Sequence, residues 1–284
     1  MSDTSSTDCI TIAKVQNMKR KGERIPIVTA YDYTTACLAD SAGIPMVLVG
    51  DSLGQVVLGY NSTIPVTMED MLHHVKAVAR GTQRGLVIAD MPFMSYRVSM
   101  EESLRNAARM LQEGGAQAIK LEGGQTECQT VQRIVECGIP VMGHIGLTPQ
   151  SVHQLGGYKV QGKTAAEARR LLQDALALEG AGVFALVLEM VPAPLAKLIT
   201  ERLHVPTIGI GAGADCDGQV QVFHDMMGLF RDFVPKHTRW YATLGDSAVE
   251  ALQRYANDVR DGVFPTQEQS YPIDTTILQE LIAE

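Results

Sequence analysis

The sequence predicts a (β/α)8 barrel. Short, strand-like runs alternate with helical patterns along the whole chain, the runs are apolar at almost every position, and no Pro/Ser-rich linker divides the 284 residues. Runs apolar at every residue belong to strands buried on both faces, which means a parallel sheet covered by helices. Seven clear units and a less distinct eighth favour closure into a barrel over a doubly wound sheet. The expected organisation is one barrel domain spanning 1–284, with short extensions at both ends.

Taken in order, the first runs are "IPIVTAYD" from Ile25 and "IPMVLVGD" from Ile44. Thr67 then opens the helical stretch "TMEDMLHHVKAVARG", with Asp70 three residues on and Gly81 at its end. "GLVIADMP" follows from Gly85. Ser99 and Glu102 stand at capping-box spacing at the head of "SMEESLRNAARMLQEGG", which Gly114 ends. "AQAIKLEGG" from Ala116 leads to the helical "TECQTVQRIVECG", stopped by Gly138, and "IPVMGH" from Ile139 comes next. In "TAAEARRLLQDALALEGAG", Ala168, Leu171, Leu172, Ala175 and Leu176 recur at helical spacing up to Gly180. "FALVLEMVP" and "VPTIGIGAG" supply the sixth and seventh strands. "VQVFHDMMGLF", from Val220, is the candidate for the eighth, and the tail after Gly262 reads as an appendage with a short helix.

Bulk properties exclude several classes. A net charge of -8 and a pI near 5.4 argue against a nucleic-acid partner, because phosphate binding needs a basic face. Five scattered cysteines without a C-x-x-C pair fit a reduced compartment better than a disulfide or zinc framework. The N-terminal "MSDTSSTDCITIAKVQNMKRKGER" lacks the apolar core of a signal peptide, and no stretch approaches the ~18 apolar residues of a membrane span. A cytoplasmic protein with no membrane partner is expected.

Polar residues sit where the apolar runs end. Asp51 ends the second run and Asp90 the third. Glu122 ends the fourth, with Lys120 two residues earlier on the same side of the strand. His144 ends the fifth and Glu189 the sixth. In this fold the carboxyl ends of all strands converge on one mouth, where catalytic groups lie. Helix capping is the alternative for each acid alone. It fits poorly for Asp51, where no helix is evident in the Gly-rich sequence that follows, and for Asp90, whose next helix waits until Ser99. Asp51, Asp90 and Glu122 are hard oxygen ligands of the kind Mg²⁺ takes. Glu189 and His144 remain as acid/base candidates, with Lys120 placed to stabilise an enolate. The apolar "FALVLEMVP" setting predicts that Glu189 is buried.

Two motifs compete for attention. "GYKVQGKT", from Gly157, matches the P-loop pattern letter for letter, but a P-loop follows directly on a strand and this one does not. A mobile loop over the mouth, with Tyr158 and Lys159 as contacts, is the better reading. "GIGAG", Gly209 to Gly213, fits a phosphate site or close backbone packing equally well.

"TAYDY", "VGDSLG", "STIPVTMEDM", "ADMPFMSY", "KLEGG", "GHIGLTPQS", "GGYKVQG", "LVLEMVP" and "GIGAGADCDGQV", in that order from about Ile10 to Tyr271, closely resemble the 3-methyl-2-oxobutanoate (ketopantoate) hydroxymethyltransferase family. The resemblance implies a TIM barrel of the phosphoenolpyruvate/pyruvate-binding type, assembled as a homodecamer. It implies transfer of a hydroxymethyl group from 5,10-methylenetetrahydrofolate to 3-methyl-2-oxobutanoate, giving 2-dehydropantoate for pantothenate synthesis. Carried over, Asp51 and Asp90 hold Mg²⁺, with Glu122 completing the metal set. Ser52 bonds the 2-oxo acid's carboxylate, Lys120 its carbonyl region, His144 contacts substrate or product, and Glu189 is the proton acceptor. Asp51 and Asp90, as ligands of the ion that substrate chelates, count among the substrate contacts. Departures from the family's usual pattern are His237 for phenylalanine, Gln269 to Tyr271 in "EQSY" (which begins at Glu268), and Asn61 for aspartate. The alternatives are another Mg²⁺-dependent 2-oxo-acid C–C lyase or mutase on the same barrel, and a nucleotide-binding module resting on "GKT".

Overall fold

The computed structural model describes residues 9–283. Of the N-terminal stretch read for a targeting signal, Met1–Asp8 lie outside the described residues. Eight parallel strands close into a barrel in sequence order: β1 (Ile25–Thr29), β2 (Met46–Val49), β3 (Leu86–Asp90), β4 (Ala118–Glu122), β5 (Val141–Gly146), β6 (Ala185–Glu189), β7 (Thr207–Ile210) and β8 (Gly218–Gln221). β8 pairs back onto β1.

The unbroken apolar runs follow from burial on both faces. Ile27, Met46, Leu48, Ile88, Met142 and Val187 point inward and fill the barrel. Their neighbours Val28, Val47, Val49, Val87, Ile119 and Leu186 point outward against the helices. The helix Ile12–Lys21 belongs to the inner layer: Val15 is fully buried, and Ile12 and Met18 pack with it onto the barrel filling. The bottom of the barrel is thereby plugged and the carboxyl-end mouth left open.

Helix starts follow local chemistry. Thr67 and Asp70 form a reciprocal capping box, as do Thr164 and Glu167. Ser99 accepts from the Glu102 backbone N–H without the reciprocal bond. A third box, Asp32 with Thr35, opens a helix Tyr33–Ser41 that periodicity did not reveal, because its apolar moment is weak.

Two expectations need correction. The eighth strand is Gly218–Gln221, so only Val220 and Gln221 of the expected run belong to it. It starts early because Gly218 lies against Ile25, where a Cβ would come within 2.2 Å of the Ile25 carbonyl oxygen. It stops because the Thr29 hydroxyl takes the Phe223 N–H at 2.9 Å, and the helix Phe223–Met226 begins there. Beyond the barrel, besides the expected short helix (Thr275–Ala283), a longer one covers Leu244–Arg260, and neither has a buried residue. The longer helix carries Val249, Leu252, Tyr255 and Val259 exposed.

Candidate active site

Parallel register assembles the mouth. Asp90 on β3 is the partner of Lys120 on β4, Glu122 on β4 of His144 on β5, and Gly146 on β5 of Glu189 on β6. The alternation that puts Ile88, Ala118, Met142 and Val187 inside also puts Asp90, Lys120, Glu122, His144 and Glu189 inside, one step nearer the mouth. Lys120 Nζ reaches Asp90 Oδ1 at 2.5 Å with both side chains buried. His144 stands between two carboxylates, with Nδ1 3.6 Å from Glu122 Oε1 and Nε2 3.2 Å from Glu189 Oε2. Neither contact has good hydrogen-bond geometry, so the pairing is mainly charge on charge.

Two glycines make room. A Cβ on Gly50 would come within 2.9 Å of Ser52 Oγ, beside Asp90 Oδ2, the oxygen that accepts the Asp51 N–H at 3.1 Å. Gly146 has φ +96, and a Cβ there would come within 2.2 Å of the Glu189 carbonyl oxygen. That carbonyl instead accepts the Leu147 N–H at 2.8 Å, closing β5 against the end of β6. Met190 turns the chain sharply after Glu189 with φ +47, a left-handed conformation uncommon outside glycine.

Contrary to the sequence reading, a one-turn helix, Leu53–Val56, does begin just after Asp51. The Asp51 carboxylate does not cap it. Asp51 Oδ2 accepts from Gln150 Nε2 at 2.9 Å, and Ser52 Oγ shares a 2.8 Å hydrogen bond with the Tyr31 hydroxyl. Glu189, expected to be buried, keeps 15% of its side chain exposed at the cavity wall.

Gln150 escaped sequence reasoning. Fully inside, on the loop after β5, its Nε2 also donates to the Met91 carbonyl (2.9 Å) and its backbone N–H to Glu122 Oε2 (3.0 Å). Its Oε1 accepts from the Tyr96 hydroxyl at 2.8 Å. One amide thus ties the turn after β2 to the ends of β3 and β4. Nothing in an isolated glutamine marks such a role.

Charge in the mouth is out of balance. Burial, and then the neighbouring charges of Asp90 and Glu122, push the Asp51 carboxyl well above its ordinary range. Burial disfavours the Lys120 ammonium, but Asp90, Glu122 and Asp51 outweigh it and hold it protonated. Burial and Lys120 oppose a charge on His144, yet Glu122 and Glu189 raise its pKa to about 9. Among the described residues no three His, Cys, Asp or Glu side chains converge to hold a metal by themselves. Asp51 and Asp90 lie side by side facing the cavity, while Glu122 is turned toward His144 and the Gln150 N–H. Two buried carboxylates with excess negative charge and open space beside them suit a hard divalent cation that completes its shell with water and substrate.

The His144 pairing has a testable consequence. Its folded pKa of about 9 lies above the unfolded value near 6.5. Its stabilisation is therefore complete below about pH 6.5 and lost as pH rises through 9. In metal-free protein, urea unfolding should show wild type losing up to about 3 kcal/mol relative to His144→Gln between those limits. Parallel stability curves for the two proteins would refute the pairing.

The mouth opens into a cavity of about 640 Å³. Comparison with known proteins decides the family. The model of the ketopantoate hydroxymethyltransferase family matches residues 9–267. The chain belongs to that family. It is 62% identical over 271 residues to the 3-methyl-2-oxobutanoate hydroxymethyltransferase of Dehalococcoides mccartyi (strain CBDB1), covering 95% of this chain and 97% of that protein. It is 63% identical over 265 residues to the enzyme of the same name from Chloroflexus aurantiacus (strain ATCC 29366 / DSM 635 / J-10-fl), covering 93% and 94%. The chain is thus a hydroxymethyltransferase. Among solved structures, phosphonopyruvate hydrolase in complex with oxalate and Mg²⁺ superposes with a TM-score of 0.59 at 13% identity, covering 95% and 94%. A 2,3-dimethylmalate lyase of the PEP mutase/isocitrate lyase superfamily gives 0.58 at 15%, covering 96% and 98%. These likenesses show the closed-barrel fold.

The remaining sequence features now have places. "GYKVQGKT" follows two short helical turns after β5 and ends in the Thr164 cap of the helix Ala165–Gly180, so it is no P-loop; Tyr158 lines the cavity. In "GIGAG", Gly213 packs against Ala193, where a Cβ would come within 2.5 Å. Of the departures from the ketopantoate hydroxymethyltransferase pattern, His237 and Asn61 line the cavity, and burial lowers the His237 pKa. Tyr271 is fully exposed.

Proposed function

We propose that the chain transfers a hydroxymethyl group from 5,10-methylenetetrahydrofolate to 3-methyl-2-oxobutanoate, forming 2-dehydropantoate for pantothenate synthesis. The arrangement that carries this reading is the buried mouth in which two adjacent carboxylates, a protonated lysine and a glutamate–histidine pair converge. Asp51 and Asp90 would hold Mg²⁺ directly, with Glu122 joining through water. The bound ion supplies Lewis acidity, lowering the cost of negative charge on the 2-oxo oxygen.

The chain's own groups do the rest. Lys120, kept cationic by the ring of acids, bonds the carbonyl region and steadies the enolate. Ser52, oriented by Tyr31, donates to the substrate carboxylate. Glu189, at the cavity wall, takes the C3 proton, and His144, 3.2 Å away, holds the charge of Glu189 and contacts substrate or product. Water adds to the methylene of the folate donor in its iminium form, and the C–N bond breaks to release tetrahydrofolate and formaldehyde. The enolate carbon attacks that carbonyl carbon, and its oxygen takes up the proton held by Glu189 to become the hydroxyl of the new hydroxymethyl group.

Proton NMR of 3-methyl-2-oxobutanoate in D₂O should show Mg²⁺-dependent loss of the C3 proton signal with the protein present and no folate. An absence of exchange that persists after methylenetetrahydrofolate is added would overturn the substrate assignment.

Features of the same molecule support a reading of its assembly and setting. The unpartnered apolar face of Leu244–Arg260 supports assembly as a homo-oligomer, read as a homodecamer of one-domain subunits. Five free cysteines support a reduced, cytoplasmic setting, and among the described residues no helix is long and apolar enough to cross a membrane.

A further inference from the structure

Asp225 carries a buried carboxylate in the cavity that takes no part in the chemistry above. Asp225 lies just after β8 on the short helix Phe223–Met226 and is only 6% exposed, yet it lines the same cavity as Asp51. Among the described residues no hydrogen bond or ion pair reaches its carboxylate, and its Oδ1 is sealed without a donor. Lys236 lines the same cavity but forms no ion pair with it among the described residues. The neighbouring His224 ring packs against Tyr31 and Phe223, burial lowers its pKa, and its own Nδ1 is unpartnered. Burial alone pushes the Asp225 carboxyl up to about 6. A buried, unpaired carboxylate is costly and is found where a ligand or a chemical step needs it.

Space and shape say which. A cavity of about 640 Å³ suits a drug-sized ligand. The small 2-oxo acid is confined to the acid ring of β2 to β6. On the β8 side the wall carries Val222, Phe230, Phe233 and Pro235, interleaved with Asp232, Lys236 and His237.

We propose that Asp225 and this wall form the pocket for the heterocycle of the one-carbon donor. The carboxylate accepts the adjacent ring N–H and exocyclic amino N–H of a 2-amino-4-oxopyrimidine edge, with Phe230 and Phe233 flanking the ring. Two parallel N–H donors on a planar edge match a carboxylate as a guanidinium does. The terminal torsion of an aspartate is soft, so a turn of the carboxylate presents both oxygens. This assignment rests on the folate-donor reading and deepens it.

The test uses the full-length protein and tetrahydrofolate as the calorimetric probe, with wild type and the near-isosteric Asp225→Asn. Loss of the charged acceptor should weaken tetrahydrofolate binding by about 10- to 100-fold. The same change should raise Tm at pH 8 without ligand, because it removes an unpaired buried charge. A structural aspartate would behave oppositely, and a variant that melts lower or fails to fold overturns the proposal. As a second probe, a tetrahydropteridine lacking the 2-amino group, which keeps only the ring N–H donor, should discriminate between wild type and variant less than tetrahydrofolate does. Equal or greater discrimination overturns the two-donor assignment. Equal binding of tetrahydrofolate by both proteins overturns the pocket assignment while the donor reading stands. Wild-type protein that binds no tetrahydrofolate overturns both.

Discussion

Glu189→Gln is expected to cut metal-dependent loss of the C3 proton from 3-methyl-2-oxobutanoate by about 10²- to 10⁴-fold, the usual contribution of a positioned general base. Glutamine keeps the shape of the side chain and the packing at the end of β6 but cannot accept the proton. Mg²⁺ binding, read by calorimetry, should persist, because Asp51 and Asp90 lie across the mouth on the turn after β2 and on β3. His144 gives an internal check. Glu189 is one of the two carboxylates that hold it protonated, so its NMR-titrated pKa should fall in the variant. Proton exchange at the wild-type rate would remove Glu189 from the role, whatever happened to His144.

Lys120→Met should have the largest effect on stability. Lys120 and Asp90 form an ion pair whose side chains are 5% and 3% exposed, and the same ammonium offsets Glu122 and Asp51. Removing one partner of a buried pair leaves an uncompensated charge, at a cost of about 3–5 kcal/mol. Urea unfolding in EDTA at pH 8 measures it. The deficit should shrink as pH falls toward 5, because the acids left without Lys120 take up protons in the folded state and cease to repel. A deficit below about 1 kcal/mol at pH 8 would mean that Lys120 contributes little to the charge balance of the mouth.

Much of this was legible in the chain. Unbroken apolar runs bounded by Gly-stopped helices specify a parallel sheet, because only strands covered on both faces tolerate them. The barrel rule then carries strand-end residues to one mouth, so Asp51, Asp90, Lys120, Glu122, His144 and Glu189 could be picked out without coordinates. What failed did so for physical reasons. The eighth strand is short and carries Gly218 and Gln219, and its extent is set by the Ile25 carbonyl and the Thr29 hydroxyl, contacts nearly two hundred residues away. The helix Tyr33–Ser41 has little amphipathic signal. Gln150 reaches Asp51 across 99 positions, which no local pattern encodes.

By itself the sequence determined the fold and the chemical types at the mouth, since both depend on periodicity and on which residues end each strand. Only the tertiary structure decided how those groups pair. Register set Asp90 against Lys120 and Glu122 against His144; Glu122 accepts the Gln150 N–H, and among the described residues it makes no three-carboxylate cluster with Asp51 and Asp90. It alone showed that, among the described residues, the Asp225 carboxylate stands in the cavity without a hydrogen-bond partner. Pairing and its absence are properties of distance, and in a closed barrel those distances are fixed by strands far apart in the chain.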